Sequence, residues 1–133
     1  MDISTRAVVD TFDVELIDPS TGEPLLNDVG STCSVTVYGP GSKPFAAAKS
    51  ASSNRSMKRM RAKGKLDTTP EEDAAVIASF LTAITVSFNG FDYKGGEQGP
   101  DMFRACYLDT GMGWLTEQVN TGAGDWGNFT KAA

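Results

Sequence analysis

A helix start written into four residues constrains this chain more than any other feature. Thr69-Pro70-Glu71-Glu72 supplies an N-cap hydroxyl, a proline at the first helical position where its missing N–H does no harm, and a glutamate three residues after the cap that completes a capping box. From there Ile77, Leu81, Ile84 and Phe88 fall at i, i+4, i+7 and i+11, with Val76 and Phe80 widening the face. The pattern predicts a central, buried helix over about 70–86. The β-branched run Ile84-Thr85-Val86 and then Asn89-Gly90 mark its end. A helix with so broad an apolar face is stable only against a second layer, which the rest of the chain must supply.

The N-terminal third supplies it as strands. Phe12-Asp13-Val14-Glu15-Leu16-Ile17 alternates with period two, placing Phe12, Val14 and Leu16 on one face, and Cys33-Ser34-Val35-Thr36-Val37-Tyr38 alternates likewise. Between them lie the turn formers of Asp18-Pro19-Ser20-Thr21-Gly22-Glu23-Pro24, then Asn27-Asp28 and Gly30. Two antiparallel strands within residues 11–38 follow, and a pair alone needs helices on its apolar face. After the turn Gly39-Pro40-Gly41, Ser42 is an N-cap and Pro44 sits in the first turn of a helix over about 43–62. Its apolar stripe rests on Phe45, alanines, Met57 and Met60, so much of it should be exposed. Beyond the central helix, Phe91-Asp92-Tyr93 leads to a turn at Gly95-Gly96. Short helices are expected at about 101–108 and 114–120, with Pro100 and Gly113 marking breaks. The tail carries Trp126 and Phe129 in a glycine-rich setting, flexible unless docked. With no internal repeat, the reading is one α+β domain over 1–133: an N-terminal antiparallel strand pair or small sheet packed against a mainly helical remainder.

Chemistry is constrained mostly by what is missing. The 133 residues contain no histidine, the usual general base at neutral pH and the commonest imidazole metal ligand, so hydrolytic triads and most zinc sites are excluded. Glu71-Glu72-Asp73 sit where acids meet the positive end of a helix dipole. Asp10, Asp13, Glu15 and Asp18 read as a solvated strand face and lack calcium-loop spacing. Gly39-Pro40-Gly41-Ser42-Lys43 lacks the order of a phosphate loop. No catalytic, cofactor or metal residue is assigned, and no enzymatic activity is expected. The longest apolar stretch, Ala74 to Phe88, is too short and too interrupted to span a bilayer. The start Met1-Asp2-Ile3-Ser4-Thr5-Arg6 has no secretory pattern, so a cytoplasmic protein is expected. Cys33 and Cys106 read as small buried residues rather than a disulfide pair.

The net charge of −5 hides a segregation. Lys43, Lys49, Arg55, Lys58, Arg59, Arg61, Lys63 and Lys65 lie in a stretch with no acid, which carries +8, while the remainder holds seventeen acids against four bases, −13. Such a basic helix is either a solvated face or a surface for an acidic partner or for the acidic part of another copy. Nucleic acid ranks below both, because no aromatic interleaves the bases and the acidic remainder repels phosphates. The partner-binding candidates are therefore Arg55, Met57, Lys58, Arg59, Met60 and Arg61, with the aromatics Trp114, Trp126 and Phe129 as a second group.

The order of motifs adds a resemblance. Asp18-Pro19-Ser20-Thr21-Gly22-Glu23-Pro24-Leu25 is followed by Val35-Thr36-Val37-Tyr38-Gly39-Pro40-Gly41-Ser42-Lys43, the basic stretch with Asn54-Arg55 and Arg59, Thr69-Pro70-Glu71-Glu72 and Phe88-Asn89-Gly90-Phe91. Trp114-Leu115-Thr116-Glu117-Gln118-Val119, Gly124-Asp125 and Asn128-Phe129 complete it. In this order the chain resembles the tail assembly chaperones of long-tailed siphophages. The resemblance implies a bacteriophage protein of the host cell cytoplasm that binds the tape measure protein, keeps it soluble, helps recruit tail tube protein and stays out of the mature virion. A structural tail or head–tail connector subunit is the alternative, and a nucleic-acid-binding regulator the third.

Overall fold

The computed structural model describes residues 2–63 and 69–130, except the side chains at 55, 56 and 59–63. It is an α+β fold. Strand β1 (Thr11–Glu15) pairs antiparallel with β2 (Ser34–Tyr38), which pairs antiparallel with β3 (Thr85–Asn89), in the order β1-β2-β3. Helices α1 (Lys43–Lys63), α2 (Pro70–Ile84), α3 (Pro100–Leu108) and α4 (Gly113–Ala123) make up most of the rest.

The period-two patterns produce a sheet with two unlike faces. Val14, Leu16, Val35, Val37 and Phe88 point into one hydrophobic cluster with Ala78, Leu81 and Ile84 of α2, Met102, Phe103, Cys106 and Tyr107 of α3, and Leu115 and Val119 of α4. The opposite face is a polar ladder across all three strands. Thr36 Oγ1 donates to Asp13 Oδ1 (2.5 Å), Asn89 Nδ2 donates to Ser34 Oγ (3.1 Å) and Thr36 Oγ1 (2.8 Å), and Ser87 Oγ donates to Asn89 Oδ1 (2.8 Å). Cys33 and Cys106 are buried free thiols, and burial pushes both pKa values up, that of Cys106 to about 11.

The helix caps form where local chemistry places them. Thr69 accepts from the Glu72 N–H (3.1 Å), and Ser42 accepts from the Phe45 N–H (3.3 Å) while donating to the Gly39 carbonyl (2.7 Å). The end of the central helix differs from the expectation. It stops at Ile84 and turns directly into a third strand, so Phe88 is a strand residue rather than the last of the helical stripe. A buried hydroxyl makes the switch: Thr85 Oγ1 donates to the Leu81 carbonyl (2.6 Å), which leaves the Tyr107 hydroxyl to donate back to it (2.7 Å). Thr36 pairs with Ser87 and Val37 with Thr85, so Val86 is the extra residue of a bulge and is exposed. Ile77 is a second correction: expected in the core, it is 40% exposed, because the covering layer reaches only Ala78, Leu81 and Ile84. Pro100 and Gly113 open α3 and α4 rather than separating them from their flanks.

The C-terminal tail is docked. Phe129 is fully buried, its ring 5.7 Å from that of Phe12, and its carbonyl accepts from the Val9 N–H (2.7 Å). A Cβ on Gly39 would lie 2.4 Å from that ring, and one on Gly41 would lie 2.6 Å from Val8 and 3.4 Å from the Trp126 ring. Both glycines of the Gly39-Pro40-Gly41 turn are thus the seat of the tail aromatics. Each outer strand also meets a glutamine amide that stands in for a neighbouring strand. Gln98 exchanges two hydrogen bonds with the backbone of Phe88 (3.1 and 2.8 Å), and Gln118 does the same with Ile17 just beyond β1 (2.8 and 2.9 Å). Such clamps occupy edge groups that would otherwise pair with another chain.

Candidate functional site

Among the described residues, the basic helix and a groove behind α2 are two surfaces that stand open to a partner. Helix α1 packs through Phe45, edge-on to Phe80 with ring centroids 5.2 Å apart, and through Ala48. Further along, Ala51 and Ser52 share a cavity of about 70 Å³ with Val76, Phe80 and Ala83 of α2. The remainder of its described surface is open: Lys43, Lys49, Ser53, Asn54 and Lys58 are exposed, and Met57 is 50% exposed. Of the expected partner-binding residues, Met57 and Lys58 therefore stand on a solvent-facing helix. The side chains of Arg55, Arg59, Met60 and Arg61 lie outside the described residues.

The aromatic group separates. Phe129, expected on a binding surface, is a core residue, because the ring fills the space over Gly39 and reaches Phe12. Trp126, three residues earlier in the same 3-10 turn, is 57% exposed with one edge over Gly41. Trp114 packs partly against the core from α4. Of these three, only Trp126 offers a large exposed ring.

The second surface was not foreseen. On the far side of α2 from α1, a shallow groove of about 300 Å³ is lined by Ala74 and Ile77 of α2, Leu108 at the end of α3, and Thr110, Gly113 and Thr116 where α4 begins. Ile77 and Leu108 are each 40% exposed and form its apolar floor. Asp109 and Glu117 line it too, and Glu71 borders an adjoining hollow of about 300 Å³ that shares Ala74, Leu108 and Thr110. Among the described residues, no lysine or arginine lines either. The carboxylate of Asp109 is held in place and kept ionised: its Oδ2 accepts from the Tyr93 hydroxyl (2.6 Å) and its Oδ1 from the Gly111 N–H (2.9 Å). These hydrogen bonds lower the Asp109 pKa, with a smaller contribution from Lys94, and the same carboxylate pushes the Tyr93 phenol up to about 12. The apolar stripe of α2 named Ile77 as a sequence signal for one half of the groove, but nothing in the sequence joined it to Leu108.

Among the described residues, no helix is long and apolar enough to cross a membrane, and no three His, Cys, Asp or Glu side chains cluster to hold a metal ion. No family model, curated protein or solved structure matches this chain.

Proposed function

We propose that this chain is a tail assembly chaperone of a bacteriophage, which binds the tape measure protein in the host cytoplasm, keeps it soluble and helps recruit tail tube protein. The observation that carries the reading is the ordered run of motifs from Asp18 to Phe129. Tape measure proteins are long, helical and rich in apolar surface, and such a chain aggregates unless that surface is covered before the tube encloses it. A protein that covers it needs exposed, adaptable contact area. Helix α1 supports the reading in that respect, since Met57 is a flexible apolar group beside the exposed cation of Lys58. Trp126 adds a rigid aromatic on another part of the surface.

The test is co-purification. A tagged copy of this chain expressed with the tape measure protein of the same genome should retain it as a soluble complex, while mass spectrometry of mature virions should find this chain absent. A stoichiometric amount in virions would assign it instead to a structural tail or head–tail connector subunit. Failure to retain the tape measure protein removes the chaperone assignment.

A further inference from the structure

We infer that the outer edge of strand β1 is a docking site for an extended segment of another protein in which basic and apolar residues alternate, added beside β1 as a further strand of the sheet. The inference is independent of the chaperone reading. It starts from the direction of backbone groups. Hydrogen-bonded positions alternate along an antiparallel pair, and the register of β1 with β2 puts Asp10 and Leu16 among those that face β2. The Asp10 carbonyl accepts from the Gly39 N–H (2.7 Å), and the Leu16 N–H donates to the Cys33 carbonyl (3.0 Å). The odd-numbered residues therefore turn their N–H and C=O groups outward. At both ends of that edge the molecule fills the places itself, with the Phe129 carbonyl on the Val9 N–H and the Gln118 amide on the backbone of Ile17. Between them, among the described residues, nothing pairs with the outward groups of Thr11, Asp13 and Glu15, and all three residues are exposed. An open row of this kind is what strand addition uses.

The surroundings specify the side chains of the added strand, which alternate between its two sides. On the core side, a hollow of about 420 Å³ lies between β1 and α4, where Gly122 lets the helix come so close that a Cβ there would lie 2.8 Å from Val14. Val14, Gly122 and Gln118 line it, so an apolar side chain of the added strand has a place to enter. On the opposite side of the sheet stand the carboxylates of Asp13 and Glu15, and Glu117 stands at the rim of the hollow. None of the residues lining the hollow is basic. A lysine or arginine opposite these carboxylates is what the edge selects, and an acidic strand is repelled. The chain itself holds no such segment among its described residues. Its strands β1, β2 and β3 contain no lysine or arginine, and the basic stretch from Lys43 is helix α1. The occupant is therefore a different protein.

The experiment titrates the full chain into a short fluorescent peptide of alternating lysine and valine and follows anisotropy. Binding should saturate at low ionic strength and weaken at about 0.5 M salt, where the screening length is roughly 4 Å. Amide hydrogen exchange read by NMR should slow at Thr11, Asp13 and Glu15 when the peptide is added, while Phe12 and Val14, which face β2, stay as they were. N-methylation of the lysine amides blocks an antiparallel addition and that of the valine amides a parallel one, so one of the two sets should weaken binding at least about tenfold and the other should spare it. Glu15→Lys/Glu117→Lys, at two exposed positions, should also weaken binding at least about tenfold, with thermal melting confirming the fold. A peptide with glutamate in place of lysine should prefer that variant to the wild type. The inference is overturned by a peptide that fails to bind at low salt, by binding that neither methylated set disturbs, or by protection of other amides instead. Protection of the same amides in the chain alone as its concentration rises would give the edge to a second copy and overturn it too.

Discussion

Replacing Gly39 by alanine should release or strain the C-terminal tail, although the two residues involved are ninety positions apart in the chain. The new Cβ would lie 2.4 Å from Cδ1 and Cε1 of Phe129 and 2.6 Å from Cγ, against an optimal carbon separation of roughly 3.5–4.0 Å. The ring has to retreat by about 1 Å, yet it is fully buried and already touches Phe12 on another side. If the tail stays, overpacking costs about 1–3 kcal/mol. Leaving would cost more: burial of the phenylalanine is worth about 1.5–3 kcal/mol, its edge contact with Phe12 about 0.5–1.5, and the Val9–Phe129 hydrogen bond about 1. The molecule takes the cheaper course, so Gly39→Ala should destabilise by about 2–3 kcal/mol, and Phe129→Ala by about 3–5. Urea denaturation followed by circular dichroism measures both. The double variant decides the mechanism. With the ring removed, the three closest contacts of the new Cβ are gone and the alanine reduces the freedom of the unfolded chain, so Gly39→Ala should become neutral or stabilising by up to about 1 kcal/mol. If it costs the same in both backgrounds, the two sites are independent and the steric argument is wrong.

Three further outcomes follow from the same geometry. Gln98→Ala should cost about 1–2 kcal/mol and raise aggregation on heating, since it strands the Phe88 N–H and carbonyl at the edge of β3; light scattering during a thermal ramp reads the second effect. Leu81→Ala should cost about 2–5 kcal/mol, whereas Ile77→Ala, at a site 40% exposed, should cost under about 1.5, and chemical denaturation separates them. The Tyr93–Asp109 hydrogen bond should give stability a plateau with two shoulders. Because the folded Asp109 pKa is lowered, its contribution is full above the ordinary carboxylate range and is lost as pH falls through the folded value. Because the folded Tyr93 pKa is raised from 10.0 to about 12, its contribution is full below 10 and is lost as pH rises through about 12. Tyr93→Phe should flatten both shoulders in the melting temperature against pH.

What could be read from the sequence was what depends on near neighbours in the chain. The caps at Ser42 and Thr69 formed because a hydroxyl and an N–H three residues on need nothing else. The alternations around Val14 and Val35 formed strands because only one of their faces can be buried. Strand β3 was missed for a different reason. The five residues Thr85-Val86-Ser87-Phe88-Asn89, with apolar side chains only at Val86 and Phe88, follow directly on a helical stripe and fit either period, and the choice was made by Tyr107, more than twenty residues away, bonding to Thr85. Periodicity likewise identified the apolar face of α2 but not how far its cover extends, so Ile77 was misplaced. Phe129 was read as a surface anchor because its glycine-rich surroundings look loose, while its burial depends on the missing side chain of Gly39. Of the candidate surfaces, the basic helix was legible as charge. The groove was not, because Ile77 and Leu108 come together only through the packing of α3 on α2.

The most direct measurement of the central claim is suppression of aggregation. Tape measure protein of the same genome is diluted from denaturant into buffer containing increasing amounts of this chain, and scattered light is followed. A chaperone should abolish the scattering at a definite molar ratio and leave a soluble complex that co-elutes on size exclusion, with Trp126→Ala requiring more chain to reach the same end point. Scattering that is undiminished at every ratio, with no co-eluting complex, would contradict the assignment.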